Sequence, residues 1–365
     1  MIWLLFSALL VWSVIFLVID RKMNVLADSK DGISENKVSL SIVVCMRNES
    51  ENIVACLDSI DRQNWLPAIT QIFIVDDNST DDSLAKALGY IPDNFNLKVL
   101  PLTQGEGKKV ALAYALSKVH SEFIYFTDAD CQLRPSTIVQ LYSTLSQNKA
   151  MAVAGAVCFR HDNILTKWVA AENLNNQCVT EAFIHYGIPI MANGANLLIS
   201  DQVRDVYVES LNSPSASGDD VFFAQRLGKE LYVSMNFESS VVTNSEKGVS
   251  RFIQQRLRWA SKTSKYHSRL AQFFAAVVFL VNALFVLSLI ALPFVNGVFW
   301  VFLIFLLKSI IEFGFHKKWF YKYRFNHDPI TAIVLSITYP FYVVIVGVLA
   351  ILKVPYNWKD RVWKV

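Results

Sequence analysis

The sequence predicts an α/β domain built on a parallel sheet and set between membrane-spanning helices, and three observations carry that prediction. Short β-branched runs alternate with amphipathic stretches from Lys37 to about His267, the pattern of strands that cross over through helices. Hydrophobic residues make up 53% of the 365-residue chain and the mean hydropathy is +0.33; the excess gathers at the two ends, in runs long enough to cross a bilayer. Acidic and other polar residues cluster where the expected strands run out, the edge at which such sheets bind ligands.

Taken in order, Ile2 to Ile19 is apolar and is followed by Asp20-Arg21-Lys22. A cleaved signal carries its positive charge ahead of the apolar run, so residues 1–22 are expected to remain as an anchor. Arg21 and Lys22 then put the following domain in the cytoplasm by the positive-inside rule. Within that domain, residues 37–267, strands are expected at Val38 to Cys45, Gln71 to Val75, Lys98 to Pro101, Phe123 to Thr127 and Met151 to Val157. Helices are expected at Glu51 to Asp61, Asp82 to Leu88, Lys108 to Lys118 and Ser136 to Leu145. The amphipathic stretch Leu165 to Phe183 reads as a core helix or as one lying along a membrane face.

Residues 270–352 hold the remaining apolar segments. Phe273 to Phe294 and Val295 to Phe315 read as two spans joined by a turn around Pro293, Asn296 and Gly297, and Ile330 to Leu352 as another. The basic stretch His316 to Asp328 returns to the cytoplasm. A plain crossing from Ile330 would leave Lys359, Arg361 and Lys364 of the basic tail, residues 353–365, outside. Either Pro340 breaks the last segment into a re-entrant pair or the tail departs from the rule. The net charge of +3, with scattered basic residues, argues against a nucleic-acid partner. Five cysteines without ligand spacing read as reduced thiols, and the isolated His161 and His185 as structural or exposed.

The chemistry concentrates at the strand ends. Asp128 and Asp130 follow the run Phe123 to Thr127; carboxylates one residue apart can hold a hard divalent cation such as Mg2+ or Mn2+, which in turn bridges phosphates, although Asp-x-Asp in a loop is more often a turn or a helix cap. The cluster Asp76 to Asp81 follows the second strand, and Gln104 to Lys109 opens a helix whose free amides and cations suit a diphosphate. Asn193 to Asn196 reads as a turn.

Together, the runs Ser41 to Glu49 (Ser-Ile-Val-Val-Cys-Met-Arg-Asn-Glu), Val75 to Asp81 (Val-Asp-Asp-Asn-Ser-Thr-Asp), Asp128-Ala-Asp130, Gly218-Asp-Asp220 and Gln255-Arg-Leu-Arg-Trp259 resemble the family 2 glycosyltransferases across the whole middle domain. The likeness is greatest to the membrane-embedded branch that includes cellulose, chitin and hyaluronan synthases and ceramide glucosyltransferase. The resemblance implies a GT-A type, Rossmann-like nucleotide-binding domain. It implies an inverting, metal-dependent hexosyl transfer from a nucleotide-sugar, a UDP-sugar first, to a lipid, lipid-linked saccharide or growing polysaccharide at the cytoplasmic face of a bacterial inner membrane. Carried over residue by residue, Cys45, Glu49, Asp77 and Asp128 would bind the donor nucleotide, to which the helix-opening run adds Lys108, and Asp128 and Asp130 would bind the Mg2+ or Mn2+. Asp220 would be the general base, Asp219, Gln255, Arg258 and Trp259 would serve the diphosphate and acceptor, and in the resembling family the region of Asn193 to Asn196 flanks the acceptor site. The chain departs from the family pattern in carrying Asp219-Asp220 where Glu-Asp is usual, and in its small membrane portion. A nucleotidyltransferase on the same scaffold and a non-catalytic subunit of an export complex are the alternatives; neither needs the whole motif set.

Overall fold

A computed structural model describes residues 2–23, 38–64, 69–213, 215, 218–246, 248–294, 297–322, 324–325, 328–358 and 361–363. Lys37, Val295, Asn296, Lys359 and Lys364 of the expectations above lie outside the described residues. In chain order the elements are α1 (Ile2–Met23), β1 (Leu40–Met46), α2 (Ile53–Asp61), β2 (Ile69–Asp76), α3 (Ser83–Leu88), β3 (Leu97–Pro101), α4 (Lys108–Leu116), β4 (Phe123–Asp128), β5 (Gln132–Leu133), α5 (Thr137–Asn148), β6 (Ala152–Gly155) and β7 (Val157–Arg160). They continue with α6 (Ile164–His185), β8 (Asn196–Ser200), α7 (Arg204–Leu211), α8 (Asp219–Leu227), β9 (Leu231–Ser234), β10 (Val241–Asn244), α9 (Val249–Ala260), α10 (Arg269–Ile290), α11 (Val298–Lys322), α12 (Pro329–Ile351), β11 (Tyr356–Trp358) and β12 (Arg361–Trp363).

Two compact units result. The first, Ala27–Arg160 with Gly187–Asn244, is built on a seven-stranded sheet in the order β3-β2-β1-β4-β8-β6-β9, beside a three-stranded sheet in the order β5-β10-β7. Ile42, Val43 and Val44 of β1, Ile72 to Val75 of β2 and Ile124 to Phe126 of β4 are all buried. Strands covered on both faces read as continuous apolar runs rather than alternating ones, which is why these showed in the sequence. Each such side chain contributes about 1.5–3 kcal/mol by leaving water.

The sheet is not wholly parallel, as expected, but mixed. β8 runs antiparallel to both β4 and β6, and its Asn196 is fully buried. The Asn196 amide accepts from the Tyr125 hydroxyl at 2.9 Å and donates to the Ala156 and Ser239 carbonyls at 2.9 Å each. This explains a second difference: the single strand expected over Met151 to Val157 is broken at Ala156. Its carbonyl takes the Asn196 amide and, at 3.0 Å, the Val241 N–H of the small sheet, so the chain passes from one sheet to the other.

The second unit comprises Met1–Leu26, His161–Tyr186 and Ser245–Val365. Its α1, α10, α11 and α12 are long and apolar enough to cross a membrane. α1 and α11 run parallel: Phe6 meets Trp300 with ring centroids 6.1 Å apart, Phe16 stacks on Trp319 at 5.6 Å, and Lys318 donates to Asp20 at 2.6 Å. α11 extends past the expected Phe315 to Lys322, because Asp20 also accepts from Trp319 Nε1 at 3.1 Å and keeps the basic turns helical. The basic ends of α1 and α11 therefore lie together. α6 packs on α1 and α12, and α9 on α12. The β11–β12 hairpin docks on α9, with the Asn357 N–H donating to Gln254 Oε1 at 2.9 Å.

Charge is also buried among the apolar helices. Lys308 is 0% and Glu312 3% exposed. The Lys308 ammonium lies 2.7 Å from Glu312 Oε1 and donates to the Ser336 carbonyl at 2.9 Å. Trp12 Nε1 donates to the same carboxylate at 2.6 Å, and the Ser336 hydroxyl donates to its other oxygen. Three helices are thereby joined at one carboxylate.

Candidate functional site

Parallel pairing aligns the C-terminal ends of β2, β1 and β4: Cys45 is in register with Val75 and with Asp128, and Met46 with Asp76. Cys45, Asp77 and Asp128 thus arise at one sheet edge from backbone register alone. Beyond β2, Asn78 adopts φ 55° and the loop is clamped by its own carboxylates. Asp76 accepts from the Ser79 N–H at 3.2 Å, and Asp81 from the Ser83 N–H at 3.0 Å and the Ser50 N–H at 3.1 Å. Burial pushes the Asp81 carboxyl up, but the Ser83 and Ser50 hydrogen bonds outweigh it and bring it down to about 2. Those two aspartates hold the turn. Asp77, buried at 5% exposure, faces the other way and accepts from the Gly107 N–H at 2.8 Å.

Gly107, at φ 99°, precedes α4, and the next residue, Lys108, reaches back across the sheet edge to place its ammonium 2.5 Å from Asp128 Oδ1. Burial pulls the Lys108 ammonium down, and the Asp128 and Asp219 carboxylates overcome this and hold it protonated. Burial likewise pushes the Cys45 thiol up, against the pull of Lys108 and with the push of Asp128, Asp219 and Asp77. Cys45 is a packed thiol beneath a charged cluster. Glu49 is buried and accepts from Asn52 Nδ2 at 2.7 Å at the start of α2.

Gly218, at φ 102°, starts α8 and presents Asp219 and Asp220 on its first turn. Asp219 is 4% exposed, and the Tyr207 hydroxyl donates to its Oδ2 at 3.1 Å. Asp220 is half-buried; the Gly194 N–H donates to its Oδ2 at 3.0 Å and the Val221 N–H to its Oδ1 at 2.8 Å. The loop that supplies Gly194 is tied to β4 by the Thr127 hydroxyl, which donates to the Ala195 carbonyl at 2.9 Å. One short segment thus connects the strand that ends in Asp128 to the carboxylate of Asp220. The run Asn193 to Asn196 is compatible by sequence with a turn or with a region flanking the acceptor site, and the buried Asn196, bonded to Ala156 and Ser239, fixes its position.

For a divalent cation the fit is partial but chemically consistent. Among the described residues no group of three or more His, Cys, Asp or Glu side chains converges as a closed metal cage. Asp128 and Asp130 offer oxygen ligands from a single loop, a donor set suited to a hard cation that keeps waters and takes phosphate oxygens for its remaining positions. Half-buried Asp130 accepts from the Cys131 thiol at 3.6 Å.

Gln255, Arg258 and Trp259 lie on α9, in the second unit. Sequence reasoning passed over the residue between them. Arg256 is 2% exposed and forms an ion pair with Glu172 of α6, itself 1% exposed. Little in the sequence signals this pair, because Glu172 is one of two glutamates, with Glu181, in the amphipathic run Leu165 to Phe183. Of the histidines read as isolated, His185 lies 3.7 Å from Glu181.

Residues 41–201 match Glycosyl transferase family 2, and residues 123–351 match Glycosyl transferase family group 2. Among curated relatives, the glycosyltransferase AglE of Haloferax volcanii is 24% identical over 204 residues, 56% of this chain and 65% of that protein. The poly(ribitol-phosphate) beta-glucosyltransferase of Bacillus spizizenii is 29% identical over 119 residues, 32% of this chain and 19% of that protein. The chain spans less than two thirds of the length of either. A solved structure, the mannosyltransferase PcManGT from Pyrobaculum calidifontis in complex with GDP-Man and Mn2+, shares the fold with a TM-score of 0.55 at 16% identity, covering 95% of each chain.

Proposed function

Because this chain belongs to the family 2 glycosyltransferases, we propose that it transfers a hexosyl group from a nucleotide-diphosphate sugar to a lipid, lipid-linked saccharide or growing polysaccharide, with inversion at the sugar carbon. The observation that carries this reading is the meeting of Asp77, Lys108, Asp128 and the Asp219–Asp220 pair at one sheet edge, bound to one another through Gly107, Gly194 and Thr127.

The acceptor hydroxyl attacks the sugar carbon, the bond from that carbon to the diphosphate breaks, and the acceptor proton passes to a carboxylate. Asp220 suits this task better than Asp219. Its carboxylate is half-buried and oriented by the Gly194 and Val221 N–H groups, whereas Asp219 is 4% exposed and enclosed beneath Tyr207. Negative charge grows on the departing diphosphate, and the Lys108 ammonium at the start of α4 would help to offset it. Asp128 and Asp130 are the residues that would hold Mg2+ or Mn2+, whose chemistry is to neutralise charge on diphosphate oxygens. Gln255, Arg258 and Trp259 are assigned to the diphosphate and acceptor on the strength of their motif.

The apolar helices and the paired basic ends of α1 and α11 support a membrane protein whose sheet unit, within residues 37–267, faces the cytoplasm of a bacterial inner membrane. A UDP-sugar is the first donor to test and a GDP-sugar the second. Membranes containing the protein should release free nucleotide from one of a panel of UDP- and GDP-sugars, and EDTA should abolish the release. No release and no transfer with any donor overturns the reading.

A further inference from the structure

We propose that Lys109 is a positioning residue that ties the first turn of α4, where the nucleotide-sugar binds, to the segment that presents Asp219 and Asp220, so that a bound nucleotide holds the base in place. This rests on the reading above, in which the diphosphate lies at the start of α4 and Asp220 takes the acceptor proton. Every residue involved belongs to the sheet unit.

Lys108 and Lys109 open α4 about 100° apart around its axis and reach different partners. Lys108 goes to Asp128 at the end of β4. The Lys109 ammonium donates to the Ser213 carbonyl at 2.9 Å and to the Ser213 hydroxyl at 2.6 Å, and it lies 5.9 Å from the centre of the Phe222 ring. Both contacts lead to the aspartate pair. Ser213, just past the end of α7, donates its N–H to the Ser210 carbonyl at 3.3 Å. The fully buried Ser210 hydroxyl shares its one proton between the Tyr207 carbonyl at 2.6 Å and the Asp219 carbonyl at 3.1 Å, and the Tyr207 hydroxyl donates to the Asp219 carboxylate. Phe222, two residues after Asp220, donates its N–H to the Gly218 carbonyl at 3.0 Å.

The two helices are also joined at their other ends. Arg204, the first residue of α7, donates through Nη1 to the Val119 carbonyl at 2.8 Å and to the Leu116 carbonyl at 3.3 Å, where α4 finishes. The packing of α7 on α4 therefore does not hang on Lys109. What Lys109 adds is a tie at the end where α4 meets the nucleotide. Hydrogen bonds from a charged donor are shorter and stronger than neutral ones, so Ser213 follows the first turn of α4 closely. A diphosphate on the free amides of that turn fixes it from one side, and Lys109 passes the constraint to Ser213 and Phe222 and so to Asp219 and Asp220. Methionine has a similar length and no donor, and breaks the tie without emptying the space.

The test uses the full-length protein in lipid nanodiscs and reads amide hydrogen exchange with and without Mn2+ and UDP or GDP, beside turnover of the nucleotide-sugar found active. In the wild type, nucleotide should slow exchange in α4 and also in Tyr207 to Ser213 and Asp219 to Phe222. In Lys109→Met the slowing should persist in α4 and vanish from the other two segments, and turnover should fall about fivefold or more, the cost of a base displaced by a few tenths of an ångström. Arg204→Met, which loosens the far end of the same helix pair, should lower the melting point while keeping both the transmitted slowing and the turnover. Slowing confined to α4 in the wild type, transmission intact in Lys109→Met, or equal losses of turnover in Lys109→Met and Arg204→Met overturns the proposal. Nucleotide that slows exchange nowhere would instead sink the binding site itself, so the two failures are distinguishable. If Lys109→Met does not fold, Ser213→Ala, which withdraws one acceptor from the ammonium, takes its place, and unchanged transmission there counts against the proposal.

Discussion

Gly194→Ala tests whether the placement of Asp220 matters. Gly194 is not among the glycines with left-handed backbone, so alanine brings no strain of its own and the perturbation is one methyl group. That methyl would lie 3.2 Å from Asp220 Cβ and 3.5 Å from an oxygen of each of Asp219 and Asp220. The neighbour must yield by a few tenths of an ångström. Overpacking of this kind costs about 1–3 kcal/mol, and the low end applies because the nearest group lies on a half-buried side chain. Misplacement of a reacting group by about 1 Å costs about a hundredfold, so a shift of about 0.3–0.5 Å should lower turnover about four- to tenfold. Nucleotide release by the purified protein, read beside its melting point, measures both effects. Gly314→Ala is the control: no atom lies within 4 Å of a Cβ there, and a helical glycine replaced by alanine gains up to about 1 kcal/mol. Gly155→Ala is the opposite extreme, with a Cβ 2.2 Å from the buried Asn196 amide, and should unfold the junction of the two sheets. Gly194→Ala turning over within twofold of wild type, with its melting point lowered, would show that Asp220 can move without consequence and would refute the reasoning.

Asp220→Asn should keep nucleotide binding and lose about 10²–10⁴-fold in turnover, the range for a general base; single-turnover kinetics would reveal an unaffected step. Asp130→Ala should weaken Mn2+-dependent binding of UDP or GDP measured by calorimetry, and unchanged affinity would remove Asp130 from the cation. Lys308→Met should cost about 3–5 kcal/mol by leaving a buried carboxylate without its cation, and adding Glu312→Gln should recover much of it; denaturant titrations of both variants decide. Burial raises the thiols of Cys45, Cys56, Cys131 and Cys178 above their usual 9.0. The stability they contribute is complete below pH 9 and is lost as pH rises above it, because the unfolded chain then ionises first. A melting point flat from pH 8 to 10.5 would contradict that burial.

Much of the fold was legible because the central strands are buried on both faces, so Ile42 to Val44 and Ile124 to Phe126 stand out as continuous apolar runs. The GT-A likeness was legible through spaced polar residues at strand ends, whose meeting follows from parallel register. β8 was not legible: Asn196 to Ser200 is a short buried strand whose antiparallel direction is set by long-range pairing with β4 and β6, on which local composition is silent. The break at Ala156 was hidden for a related reason, since it depends on an asparagine forty residues later. Glu172 and Arg256 each look like ordinary surface residues on amphipathic helices until the partner is known. Lys308 and Glu312 stood in plain view inside an apolar run, where ionisable groups ask for an explanation.

Glu172 also dictates an order of events during synthesis. Its cation follows 84 residues later and its phenol 170 residues later. At ribosomal speeds of about 5–20 residues per second, α6 waits roughly 10–30 s for Tyr342 to emerge. Throughout that interval the Glu172 carboxylate, still without its cation and phenol, must stay hydrated, so α6 cannot settle among the other helices until translation is nearly finished. Ribosome-bound chains ending before α9 should therefore leave α6 open to protease, and closure should come in a single late step.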